Sequence, residues 1–281
     1  AINNGYIDSI NNQSLSGSQV GTIAGGQYGI AVQSGGSIGS INNAGTIFGG
    51  SKAISLKSST LLGGITNVGS IIGPYRGIDL GHGALLANGI TNSGLIQATV
   101  WSAIDVWGEP GSTITSGISN LSGGTVLGNG VGISVWSAST IAGGISNAGQ
   151  IIGSTFAGIL ATSSGPSTAA GTILGGITNT GSIIGGSIGI FANAGSLIAD
   201  GITNTGLISG SSASGIFINN NSFIDSINNQ SLSGSQVGTI AGGQYGIAVQ
   251  GNATLGSILN AGSILGATAI YVGDGGTIVN G

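Results

Sequence analysis

The stretch Gly171-Thr172-Ile173-Leu174-Gly175-Gly176-Ile177-Thr178-Asn179-Thr180-Gly181-Ser182-Ile183-Ile184-Gly185 holds the pattern on which the whole chain is built. Ile177 is followed two residues on by Asn179 and, past a glycine, by Ile183. The same Ile-x-Asn register recurs ten times, with its isoleucine at positions 10, 41, 65, 90, 118, 145, 177, 202, 227 and 258. Successive registers are 31, 24, 25, 28, 27, 32, 25, 25 and 31 residues apart, so a core unit of 24 or 25 residues is lengthened in some copies by corner insertions. The isoleucine that closes each motif alternates with small polar neighbours, the pattern of a short strand with one face inward.

Two more apolar runs complete the unit. One is a Gly-Ile-x-Val-like tetrad, as in Gly77-Ile78-Asp79-Leu80, Gly132-Ile133-Ser134-Val135 and Gly246-Ile247-Ala248-Val249; the other, such as Gly171 to Gly176, leads into the next register. The expected fold is all-β: a right-handed parallel β-helix, or β-solenoid, of about ten turns with three short strands per turn. It forms one repeat domain over residues 1–281, expected to be a stretch of a longer array. Stacked at about 4.8 Å per turn, ten turns make a rod of roughly 48 Å.

Glycine is expected at the corners, where tight bends need positive φ or no Cβ. The recurrent asparagine has a different task. Asn12, Asn43, Asn67, Asn92, Asn120, Asn147, Asn179, Asn204, Asn229 and Asn260 fall in one column. There their side chains can donate to and accept from one another as an amide ladder. A register slip would misplace the ladder and the isoleucine columns together. Residues 7–33 are repeated without change as residues 224–250, eight turns on, so the corner loop Ser-Leu-Ser-Gly-Ser-Gln-Val is presented twice.

Composition excludes several classes. Of 281 residues, 60 are glycine, 40% are hydrophobic and only 4% are charged, against about a quarter charged in ordinary soluble proteins. Apolar residues are too evenly spread for disorder and too often interrupted for a membrane helix. The absence of cysteine removes disulfides and Cys-ligated metal sites. Lys52, Lys57 and Arg76 are the only strong cations in a chain of net charge −4, which leaves no footprint for nucleic acid. Gly128-Asn129-Gly130-Val131-Gly132 lacks dinucleotide spacing, and Gly273-Asp274-Gly275-Gly276 is a single copy where calcium β-rolls need many, so no cofactor or metal is expected. Asn-x-Ser/Thr triplets at Asn12, Asn120, Asn220, Asn229 and Asn252 leave glycosylation open. Ala1-Ile2-Asn3-Asn4-Gly5 has neither a basic start nor an apolar core, which places any export signal outside these residues.

Repeated Ile-Thr-Asn-x-Gly-x-Ile-Ile-Gly followed by Gly-Ile-x-Val resembles the passenger region of bacterial autotransporter adhesins, which are secreted by the type V route. The resemblance extends over essentially the whole chain. It implies export across the outer membrane, display at the cell surface or in the extracellular space, and roles in adhesion, aggregation or biofilm.

Candidates for chemistry are few. The acids are Asp8, Asp79, Asp105, Glu109, Asp200, Asp225 and Asp274, with one histidine, His82. Aligning Ile78 with Ile104 puts Asp79 and Asp105 in one column, one turn apart, with Arg76, His82 and Glu109 nearby. Trp107 and Trp136 align likewise, and Trp101 shares a column with Tyr75 and Phe156. The plain expectation is that the two carboxylates face solvent and keep a nearly uncharged rod soluble. The sharper one is a binding patch made of Asp79, Asp105, Trp101, Trp107, Trp136, Arg76 and His82, since aromatic faces beside polar groups hold sugar rings. The expected role is a non-enzymatic structural and adhesive segment whose partners are glycans or proteins of host or bacterial surfaces. The alternatives are a head-to-tail fibre that self-associates through open β-edges and a carbohydrate-active β-helix enzyme.

Overall fold

A computed structural model of the chain describes residues 1–15, 19–165, 169–231 and 237–280. It is a β-solenoid of about ten turns, without a helix among the described residues, in which each coil lies on the one before it and pairs with it in parallel. Three sheets run along the rod. A broad sheet of eleven strands is made from the Gly-Ile-x-Val tetrads, among them Lys52–Lys57, Arg76–Gly81, Ser102–Trp107, Val131–Trp136 and Ala157–Thr162. A ten-stranded sheet is made from the strands that close each motif, such as Ser182–Gly185. The third sheet carries the Ile-x-Asn register itself, with Asn67 paired to Asn43 on one side and Asn92 on the other.

This third side bends, and one residue position decides where. When the position before the register isoleucine is glycine, as at Gly64, Gly89, Gly117, Gly144, Gly176 and Gly201, φ lies between 65° and 83° and the chain breaks into two short strands. Those are left-handed angles that glycine adopts without steric cost. When the same position is Ser40, Ser226 or Ser257, the strand runs on unbroken, as in Ser37–Asn43, Phe223–Asn229 and Thr254–Asn260. The third side is therefore often two strands, where the sequence suggests one run ahead of the motif.

The interior is filled by columns of one residue type. Ile47, Ile71, Ile96, Ile151 and Ile183 line the ten-stranded sheet, Ile54, Ile78, Ile104 and Ile133 the broad one, and all are fully buried. Burial comes from the neighbouring coils: Ile247 is fully buried, whereas Ile270, its partner in the last coil, is 41% exposed.

The asparagine ladder forms as the column predicts. Nine side-chain hydrogen bonds link the ten amides, each Nδ2 donating to the Oδ1 of the next turn at 2.7–2.8 Å. Every bond points the same way along the rod. Interior amides are also tied to backbone: Asn147 Nδ2 donates to Gly149 O and Ser182 O. The asparagine, not the isoleucine beside it, is thus the buried polar group that fixes the register.

Corner insertions leave this frame intact. The duplicated loop leaves the rod as an antiparallel pair, Ser14–Leu15 with Gln19–Val20, and its second copy does so at the Ser231–Val237 bridge. The loop tips, 16–18 and 232–236, lie outside the described residues.

Replacing Asn147 by alanine leaves the Asn120 amide and the Asn179 carbonyl without their ladder partners in a buried column, and is expected to cost about 3 kcal/mol. Replacing Asn260, which ends the ladder and is exposed, is expected to cost about 1 kcal/mol or less. Thermal denaturation of the two variants beside the parent checks the difference.

Candidate functional site

On the outer face of the broad sheet the side chains change from turn to turn. The leading position of these strands is a small residue, Ala53, Gly77, Ala103 or Gly132, and the residue before it and the second and fourth residues after it form the outward columns. In consecutive turns these outward sets are Lys52, Ser55, Lys57; Arg76, Asp79, Gly81; Ser102, Asp105, Trp107; and Val131, Ser134, Trp136. All three strong cations of the chain therefore share one face with two of its three tryptophans, and Trp101 stands at its edge.

Asp79 and Asp105 are neighbours in register, as their alignment predicts. Solvent does not reach them: they are 0% and 2% exposed. The expectation of free surface carboxylates is overturned, because side chains from adjacent turns fold over the outward column and close it. Lys52 Nζ lies 2.6 Å from Asp79 Oδ2, Arg76 Nε lies 3.3 Å from Asp79 Oδ1, and Ser55 Oγ donates to Oδ2 at 3.1 Å. Asp105 accepts short hydrogen bonds from Arg76 Nε and Ser134 Oγ.

The two tryptophans act as lids. Trp107 Nε1 donates to Asp79 Oδ1 and Trp136 Nε1 to Asp105 Oδ1, each at 2.8 Å, so each indole leans back one turn over the carboxylate beneath it. The rings stack, with centroids 5.6 Å apart and planes 15° from parallel. Space for the first lean comes from Gly81, the residue beneath Trp107 in the column; a Cβ there would stand 3.1 Å from the indole. Cations complete the cover: Arg76 Cζ is 5.4 Å and Lys57 Nζ 5.7 Å from the Trp107 ring centre, distances at which the ring quadrupole attracts a positive charge.

Burial shifts the titration of two of these groups. Loss of water pushes the Asp105 carboxyl above the ordinary aspartate range, opposed by Arg76 and by the bonds from Ser134 and Trp136. Loss of water likewise holds the Lys52 ammonium below the ordinary lysine value, against the attraction of Asp79.

Beside the cluster lies an open groove of about 450 Å³. Its floor holds Ser102, Asp105, Ser134 and Leu160, with Arg76 at one end; Trp136 forms one rim, Trp101 and Phe156 the other. Trp101 is 59% exposed. Trp101 and Phe156 share a column, but Gly130 stands between them and opens a gap in that rim. The structure thus brings six of the seven candidate residues into one connected face. The seventh, His82, sits at a corner with φ of 54°; its ring meets Trp107 edge-on at 4.5 Å between centroids, and its backbone N–H donates to Trp107 O at 3.2 Å. His82 and Glu109 line a separate hollow with Ser59 and Pro110.

Lys52, Phe156 and Leu160 are not among the seven candidate site residues drawn from sequence. The signal for Lys52 is present in hindsight, since it pairs in register with Arg76, but its contact with Asp79 needs the lysine stem to reach across a turn. Three of the five Asn-x-Ser/Thr asparagines, Asn12, Asn120 and Asn229, spend their amides in the ladder. Asn220 and Asn252 are exposed at corners. Among the described residues no group of three or more His, Cys, Asp or Glu side chains is placed to hold a metal ion. Comparison with protein-family models, with curated proteins and with solved structures returned no match to the chain.

Because the folded chain holds the Asp105 proton more tightly than the unfolded chain, this carboxyl favours folding at low pH. That contribution is lost as pH rises through its raised pKa. The Asp105→Asn variant, which does not titrate, is expected to gain stability relative to the parent as pH rises from about 4 to 8, read as the difference in Tm. Asp79→Ala strands Lys52 and is expected to lower stability by about 3–5 kcal/mol, measured by denaturant unfolding.

Proposed function

We propose that the chain is a structural and adhesive segment of a secreted bacterial surface protein, a stiff rod that displays one glycan-binding face. The observation that carries this reading is the largely apolar groove between Trp101 and Trp136, with exposed aromatic side chains along its edge and the half-buried Arg76 in its lining. An aromatic surface for the apolar face of a ring, with a placed polar group such as Arg76 beside it, meets the requirements for holding a sugar. The sequence resemblance to autotransporter adhesin passengers supports surface display, and an uninterrupted ladder along the rod supports a spacer role.

Catalysis is the competing reading, since a buried carboxylate of raised pKa in a groove is a common mark of an acid or base. Against it stands the engagement of Asp105. Its oxygens already accept from Arg76, Ser134 and Trp136, which leaves a poor path for a proton to a substrate atom. The carboxylate reads as the anchor that orients Trp136.

Binding to immobilised glycans and to glycan-bearing cells is expected for the parent chain, with a loss of about tenfold or more in Trp101→Ala and no change in Tm, because that ring is exposed. Incubation with polysaccharides is expected to give no new reducing or unsaturated ends. Cleavage that disappears in Asp105→Asn would replace the adhesive reading with an enzymatic one.

A further inference from the structure

The adhesive reading leaves the class of sugar open, and the charge of the groove narrows it. We propose that the groove selects a sugar bearing a carboxylate, a uronic or sialic acid unit; this rests on the glycan reading above. The chain carries a net charge of −4, yet this face collects Lys52, Lys57 and Arg76 against only Asp79 and Asp105, an excess of one positive charge on an otherwise acidic rod.

Where that excess sits matters. Lys52 is 8% exposed and spent on Asp79. Lys57 makes no ion pair among the described residues and stands at the Trp107 ring, outside the groove. Arg76 is the cation that lines the groove, with 21% of its side chain exposed. Among the described residues its hydrogen bond runs through Nε, to Asp105, so the two terminal amino groups of the guanidinium remain for another acceptor. A guanidinium edge held in place by a buried carboxylate is a preorganised partner for an external carboxylate, which it binds with paired N–H donors.

The floor adds to the selection. Ser134 Oγ is turned toward Asp105 and Ser102 Oγ, and Asp105 accepts from three groups, so its negative charge is largely answered from within. A ligand carboxylate at Arg76 would lie beside a carboxylate that is already neutralised, and the ring carrying it would lie along the floor toward the Trp101 rim. A neutral sugar keeps the aromatic contact but gives Arg76 nothing to bind. The groove volume of about 450 Å³ lies in the range of small-molecule sites, about 300–1,000 Å³.

The test uses the tryptophans as reporters, since all three in the chain lie on or beside this face. Intrinsic fluorescence of the whole chain is titrated with galacturonate oligomers, with sialyllactose, with the methyl ester of the same galacturonate oligomers, and with lactose. The expected result is that at least one acidic probe binds about tenfold or more tightly than its neutral counterpart, the worth of one charge-assisted contact. That preference should weaken with added salt and fall in both Trp101→Ala and Arg76→Gln. If Arg76→Gln fails to fold, as judged by Tm, the ester and lactose comparisons still decide. Equal affinity for acidic and neutral probes, lost in Trp101→Ala, would overturn the charge selection and leave the glycan reading standing. Absence of any Trp101-dependent binding, to acidic or neutral probes alike, would overturn both.

Discussion

The amides of the ladder asparagines from Asn12 to Asn229 are buried among apolar columns, where an unpaired donor or acceptor is costly, and the rest of the rod follows from how that cost is avoided. A buried primary amide has two donors and an oxygen to satisfy. Stacking the same residue one turn above and below meets those needs with one geometry, provided the turns stay in register. Asn147 shows the full set: it accepts from Asn120, donates to Asn179, and uses its second proton on backbone carbonyls. The isoleucines supply most of the driving force for burial, and the amide column adds a directional requirement that each turn must meet. Corners can therefore grow or shrink between registers, as the loops after Asn12 and Asn229 do, without the coils losing alignment.

A scaffold that repeats this strictly confines individuality to its outside. The outward positions of the broad sheet vary widely, holding Ser55, Asp79, Asp105, Ser134, Leu160 and Phe191 in one column. On a flat β-surface, side chains one turn apart are close enough to act as each other's environment. Charges placed in such a column are therefore removed from water by their neighbours even though they point outward. Lys52, Arg76 and the indoles of Trp107 and Trp136 do this to Asp79 and Asp105, and the carboxylates in return hold the two rings stacked at a set tilt. Buried charge here secures the orientation of aromatic side chains; ion pairing of this kind has no need to add net stability.

Much of this was legible in the residues themselves. The period, the parallel stacking, the isoleucine interior, the asparagine ladder and the alignment of Asp79 with Asp105 and of Trp107 with Trp136 all follow from counting positions, because in a solenoid a sequence column is a spatial column. The strand breaks on the third side were not foreseen: the position ahead of the register differs between Gly64 and Ser40, but a glycine's meaning there depends on the φ it adopts.

What the sequence could not decide is how side chains in neighbouring columns close over one another. Asp79 and Asp105 look exposed when only their own column is considered, since the fold directs them outward. Their burial arises from Lys52 reaching along the rod, from Trp107 leaning over Gly81, and from Trp136 leaning over Asp105, directions that depend on rotamers and on space left by other turns. The groove beside them is set in the same way, by Gly130 interrupting the Trp101 and Phe156 rim. Sequence alone determined the scaffold, because backbone and column repeat together; tertiary structure alone decided the site, because it is made of contacts between columns.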